Sequence, residues 1–130
     1  MDITIDTSAL IAVIANEPKK PKLIEVTKGV DLIAPLSVHW EIGNAFSSWF
    51  KQKKATLDEA LAAIQAYQQI PLRLVDIDLV QALKLSHSHN IYAYDAYLIA
   101  TALEYDCPLL SLDRRLVTVA KEVDVKIIEV

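Results

Sequence analysis

The chain has 130 residues, a formal net charge of −4, 53% hydrophobic residues and only two glycines. That length suits one domain, residues 1–130, around a single core, and the apolar content excludes a disordered chain. A lone cysteine, Cys107, excludes an internal disulfide framework, and the longest apolar run near the start is far short of the roughly 20 residues of a membrane span, so a soluble, cytoplasmic protein is expected.

Asp2 to Asp6 reads as a short strand, and Ser8 to Ala15 as a helix stopped before Pro18. A second helix is expected from about Lys20 to Gly29, and Leu32-Ile33-Ala34 forms a second buried strand closed by Pro35. Ser37 is the expected cap of a helix running to about Gln52, with Val38, Ile42, Ala45, Phe46, Trp49 and Phe50 on one face. Thr56 and Glu59 make a capping-box pattern for a helix whose apolar face carries Leu57, Leu61, Ile64 and Tyr67. Leu72 to Ile77 is strand-like, and Asp78 caps a helix reaching the polar stretch Ser86-His87-Ser88-His89-Asn90. Asp95 opens a helix from Ala96 to about Tyr105. Pro108 to Leu112 is strand-like, Asp113 caps a helix to about Lys121, and Val125 to Val130 is expected as a last strand. Strands alternating with helices predict a three-layer α/β domain with a mainly parallel sheet.

In such a sheet the carboxyl ends of the strands and the following helix starts line one crevice. Asp6, Glu41, Asp95 and Asp113 all fall at or beside such positions. Two readings stand for Asp6, Asp95 and Asp113: each is a helix cap, worth about 1 kcal/mol, or each is a ligand. Glu41 lies inside a helix beside the stripe of Val38, Ile42 and Ala45, where it caps nothing, with Asn44 one turn later on the same side. Gathered carboxylates repel one another and need raised pKa values or cations, and oxygen ligands suit Mg²⁺ or Mn²⁺. Such a site holds a phosphodiester and activates water. The negative net charge does not by itself advertise a nucleic-acid binder, but acids gathered around a metal would account for it.

The stretches IDTSAL (5–10), E-x-x-N at Glu41 and Asn44, YDAYLIATAL (94–103) and PLLSLDRRL (108–116) together resemble the PIN-domain ribonucleases, and among them the VapC toxins of toxin–antitoxin pairs. The resemblance covers the whole chain and implies a PIN-like α/β/α fold. It implies that Asp6, Glu41, Asp95 and Asp113 form a catalytic acidic site for Mg²⁺ or Mn²⁺. Ser8 takes the small hydroxyl position after the first aspartate, and Ser111 stands where many relatives carry threonine. The implied activity is cleavage of RNA, often a structured RNA such as tRNA. A VapB-type antitoxin and a homodimer are the implied partners.

Arg114 and Arg115 follow Asp113 and either reach a phosphate of the RNA or are exposed helix positions. Lys51, Lys53 and Lys54 suit a helix C-terminus. Phe46, Trp49 and Phe50 belong to the core or to a groove for a partner, and Tyr92, Tyr94 and Tyr97 are expected to pack rather than to stack on bases. His87 and His89 fall on different helix faces, His39 points away from Glu41, and Cys107 reads as a small buried residue. Three rivals stay open: a stand-alone RNA-processing nuclease, a binding module with a structural or vestigial metal site, and a phosphatase of the haloacid-dehalogenase type. The last wants a second aspartate where this chain has Ser8.

Overall fold

A computed structural model describes residues 1–130. Strand β1 (Asp2–Ile5) is the centre of the sheet, flanked by β2 (Asp31–Pro35) and β4 (Leu109–Leu110), with β3 (Leu72–Val75) outside β2, giving the order β3-β2-β1-β4. Every pairing is parallel. Ile3, Thr4 and Ile5 are all buried, as are Ile33 and Ala34, because a parallel sheet is covered on both faces and its inner strands read as continuous apolar runs.

Helices α1 (Thr7–Ile14), α2 (Lys20–Val26), α3 (Ser37–Lys51) and α4 (Leu57–Gln68) precede β3, and α5 (Leu79–His89), α6 (Ala93–Glu104) and α7 (Arg114–Glu122) follow it. Helix α6 lies against β1, β2 and β4 with α5 packed on it, while α1 packs with α2, α3 and α4. The result is a three-layer α/β/α domain, as expected. Helices α1 and α6 are apolar nearly all round and are the most enclosed; α1 buries Ala9, Leu10, Ile11, Ala12 and Ile14. No helix is long and apolar enough to cross a membrane.

Four local expectations are corrected. Ser37 is the first residue of α3 rather than its cap; Leu36 holds that position, with no side-chain hydrogen bond. Helix α6 begins at Ala93, two residues before Asp95, so Asp95 stands in its first turn and caps nothing. On α4 the buried face is Ala60, Ala63 and Tyr67, leaving Leu57 and Leu61 exposed, because close packing on α1 selects small side chains. Residues 125–130 do not form a strand. Only an isolated parallel bridge joins Ile127 to Leu109, through Leu109 N–H to Lys126 O at 2.8 Å and Ile128 N–H to Leu109 O at 3.0 Å.

Helix α2 also ends earlier than expected, at Val26 with Thr27 as its cap, while three other helix ends follow the sequence. Thr56 and Glu59 form the complete capping box of α4, Asp78 accepts from Val80 N–H, and Asn90 ends α5 at φ 52°.

Candidate functional site

The chain order reverses between β1 and β4, so a crevice opens beyond their carboxyl ends. Asp6 follows β1 directly and is 4% exposed. Its Oδ1 accepts from Ala9 N–H at 2.9 Å, which caps α1, and its Oδ2 accepts from the Ser111 hydroxyl at 2.5 Å. The Ser8 hydroxyl donates to the same carboxylate, 2.8 Å from one oxygen and 2.9 Å from the other. Ser8 Oγ in turn accepts from Leu112 N–H at 3.0 Å, and Ser111 Oγ from Asp113 N–H at 2.9 Å. Two serines therefore tie the end of β1 to the turn after β4. Asp113 Oδ1 caps α7 by accepting from Arg115 N–H at 3.0 Å and Leu116 N–H at 3.2 Å, which leaves its Oδ2 uncommitted.

The cap and the ligand readings of Asp6 and Asp113 are thus compatible, since a cap engages only part of a carboxylate. Glu41 enters from α3, the helix that follows β2. Its Oε2 is buried and accepts no hydrogen bond. The hydroxyls of Thr7 and Ser37 are also buried without a partner; they stand near enough to Glu41 to draw its pKa down, yet not in hydrogen-bonding geometry. Neither residue stood out as a site residue in the sequence. For Ser37 the signal was there, because residues 37 and 41 share a helix face.

The acids act on one another. Burial raises the Asp6 pKa, opposed by the hydrogen bonds from Ser111, Ala9 and Ser8, and the Asp113 charge adds to the rise. Burial, then the charges of Asp6 and Asp95, push Glu41 up from 4.5 to about 7. Asp95 is raised by burial and by Asp113, and lowered by Arg115. Asp113 thus acts on Asp6 and Asp95, and these two act on Glu41, which links the end of β1, α3, α6 and the start of α7. No three His, Cys, Asp or Glu side chains close into a ready-made shell. Mutual repulsion spaces carboxylates apart, and Mg²⁺ retains several waters and needs only one or two of them directly. An all-oxygen donor set with an unpartnered buried Glu41 oxygen fits such a hard cation.

The supporting residues divide. Ser8 and Ser111 join the centre, whereas Asn44 is exposed and makes no side-chain hydrogen bond. Arg115 turns towards Asp95, its Nη2 reaching Asn90 O at 3.4 Å, while Arg114 faces a groove on the other side of Ser111. His39 pairs with the Tyr67 hydroxyl at 3.2 Å, away from Glu41, and His89 with Glu122 at 3.2 Å. Tyr97 packs on the core and Tyr94, though exposed, meets the Tyr97 ring edge-on at 5.8 Å, whereas Tyr92 is exposed, contrary to expectation. Ser8, straddling both oxygens of Asp6, occupies the position where a phosphoryl-aspartate enzyme would carry its second acid.

The family model described as PIN domain matches residues 3–122. Sequence comparison with curated proteins finds no match. Among solved structures, PAE2754 from Pyrobaculum aerophilum superposes with a TM-score of 0.71 at 21% identity, over 98% of this chain and 83% of that one. VapBC2 from Rickettsia felis, bound to a DNA fragment from its promoter, gives 0.69 at 12% identity over 98% of each chain. VapC20 from Mycobacterium tuberculosis, described as a sarcin-ricin loop cleaving toxin, gives 0.62 at 14% identity over 89% of this chain and 93% of that one.

Proposed function

The chain belongs to the PIN-domain family, and on that footing we propose that it is a metal-dependent endoribonuclease, the toxin of a VapBC-type toxin–antitoxin pair. The observation that carries the reading is the gathering of Asp6, Glu41, Asp95 and Asp113 at the open end of the sheet, where burial and then the charges of their neighbours raise the pKa values of Asp6, Glu41 and Asp95. The family match over residues 3–122 supports taking the chain as a single nuclease domain.

The four acids would hold Mg²⁺ or Mn²⁺, which supplies Lewis acidity at the phosphoryl oxygen and acidifies water. Ser8 and Ser111 fix the Asp6 carboxylate so that no reorganisation is needed when substrate arrives. Glu41, which burial and the charges of Asp6 and Asp95 raise to about 7 without a metal, is the acid whose ionised form a bound cation would stabilise most. Arg115, beside Asp95, would meet the backbone of the RNA.

The likeness to VapC20 supports a structured RNA as substrate, and the likeness to VapBC2 supports a VapB-type antitoxin as partner. Exposed Leu36 and Trp40 at the start of α3, with Leu79, Val80 and Leu83 on α5, support pairing of two subunits.

The test is cleavage of total tRNA and rRNA in Mg²⁺ or Mn²⁺, and in EDTA, by the wild type and Asp6→Asn. Discrete fragments that disappear with chelator and in the variant are expected. Equal fragments from both proteins would place the chemistry elsewhere and sink the assignment.

A further inference from the structure

A nuclease centre of four acids faces a difficulty, because its substrate is itself a polyanion. Resting on the nuclease reading, the groove beside Ser111 offers the countercharge. It has a volume of about 480 Å³ and is lined by Lys19 from before α2, Ser111 and Leu112 from after β4, Arg114 and Thr118 from α7, and the 127–130 segment. Ser111 is shared with the centre, since its hydroxyl donates to Asp6. The groove therefore adjoins the acidic centre at Ser111, and none of the four acids lines it.

Lys19 and Arg114 are both exposed, and neither takes part in an ion pair. The one carboxylate side chain on the wall, Glu129, stands 4.0 Å from Lys121 Nζ. Two cations from distant parts of the chain, neither held in an ion pair, thus face one channel. Thr118 uses its hydroxyl to bond Arg114 O at 2.9 Å, which pins the first turn of α7 beneath the guanidinium.

We propose that the groove between Lys19 and Arg114 is a phosphate track for single-stranded RNA, holding the backbone phosphates next to the one that is cut. The consecutive arginines then divide the strand between them: Arg114 grips it on the Lys19 side of the centre and Arg115 stands on the Asp95 side. The track reads charge and spacing, not bases, so it contributes affinity and register without sequence preference. Base choice must come from elsewhere on the rim.

The test measures binding of a short mixed-sequence single-stranded RNA across a KCl series in Mg²⁺, in the Asp6→Asn background so that no strand is cut. Log affinity falls with log salt by about 0.7 per phosphate contact to a single strand. The pair Lys19→Gln/Arg114→Gln should weaken binding and lower that slope by about 1.4, whereas Lys51→Gln/Lys53→Gln, at the far end of α3, should leave the slope unchanged for the same loss of charge. Equal slopes for the groove variant and its parent would overturn the track while leaving RNA binding intact. Equal losses in both variants would reduce the effect to net charge and also overturn it. No RNA binding by the parent at any salt would remove the nuclease reading itself, and the track with it.

Discussion

At Asp6 one side chain meets two demands. It starts α1 by accepting from Ala9 N–H, and it presents a carboxyl group to the crevice in an orientation fixed by two serine hydroxyls. Burial works against the charge and the hydrogen bonds work for it. Ser111 is the most exposed to test, because it both donates to Asp6 and accepts from Asp113 N–H. Ser111→Ala should destabilise the fold by about 1–3 kcal/mol, the cost of leaving buried polar groups unpaired. It should also move the Asp6 pKa further up and weaken Mn²⁺ binding at neutral pH. Chemical denaturation and calorimetric titration read the two effects separately, and Ser111→Thr, which retains the hydroxyl, should keep most of the Mn²⁺ affinity.

Among the elements, the termini were more legible in the sequence than the faces. The capping residues of α4, α5 and α7 announce themselves because a cap is a local contract between a side chain and the next few N–H groups. Thr56→Ala should therefore cost about 1 kcal/mol in thermal or urea unfolding and leave cleavage untouched, since α4 contributes nothing to the centre. Which face of α4 is buried was not legible. Leu57 and Leu61 look like core by type, but α1 approaches closely enough that Ala60 and Ala63 fit and the leucines do not. Residues 125–130 failed as a strand for a related reason: β4 is only two residues long and offers one bridge's worth of pairing. The start of α6 was misread because Tyr92 caps it without a side-chain hydrogen bond, so nothing local marks the boundary.

For the molecule as a whole, the order β3-β2-β1-β4 converts four scattered acids into neighbours. Their approximate places were legible from the hydrophobic pattern, with Asp6 and Asp113 marked as caps, whereas Asp95 falls inside α6 rather than ahead of it. Their electrostatic coupling, and the part of Thr7 and Ser37 beside Glu41, were not legible, since these depend on how α3 meets α1. The coupling has a global consequence. Glu41 titrates near 4.5 unfolded and about 7 folded, so its favourable contribution is complete below 4.5 and is lost as the pH rises through 7. In EDTA the protein should melt lower at pH 8 than at pH 5. In Glu41→Gln that decline should be shallower by about 1–2 kcal/mol, a figure reduced for the partial solvent exposure of the group. Mn²⁺ added at pH 8 should recover the lost stability in the wild type and less of it in the variant; scanning calorimetry across the pH series checks both.

The two-residue strand β4 has one more implication. It carries Ser111 and Asp113 to the crevice on two residues of pairing with β1, backed by the burial of Leu109 and Leu110 against α6, by the two serine bridges and by the two hydrogen bonds that stitch Leu109 to residues 126 and 128. Cooperative opening need not involve the whole protein, and the segments with the fewest long-range bonds open first. Peeling residues 109–130 from β1 would strip the centre of an acid and of one hydroxyl that steadies Asp6, while the pairing of β1, β2 and β3 stays intact. Loss of activity on heating would then precede loss of the β1–β2–β3 sheet, at the cost of the core contacts of Leu109, Leu110, Leu116 and Val119, so that the enzyme inactivates as a partly unzipped molecule before it denatures.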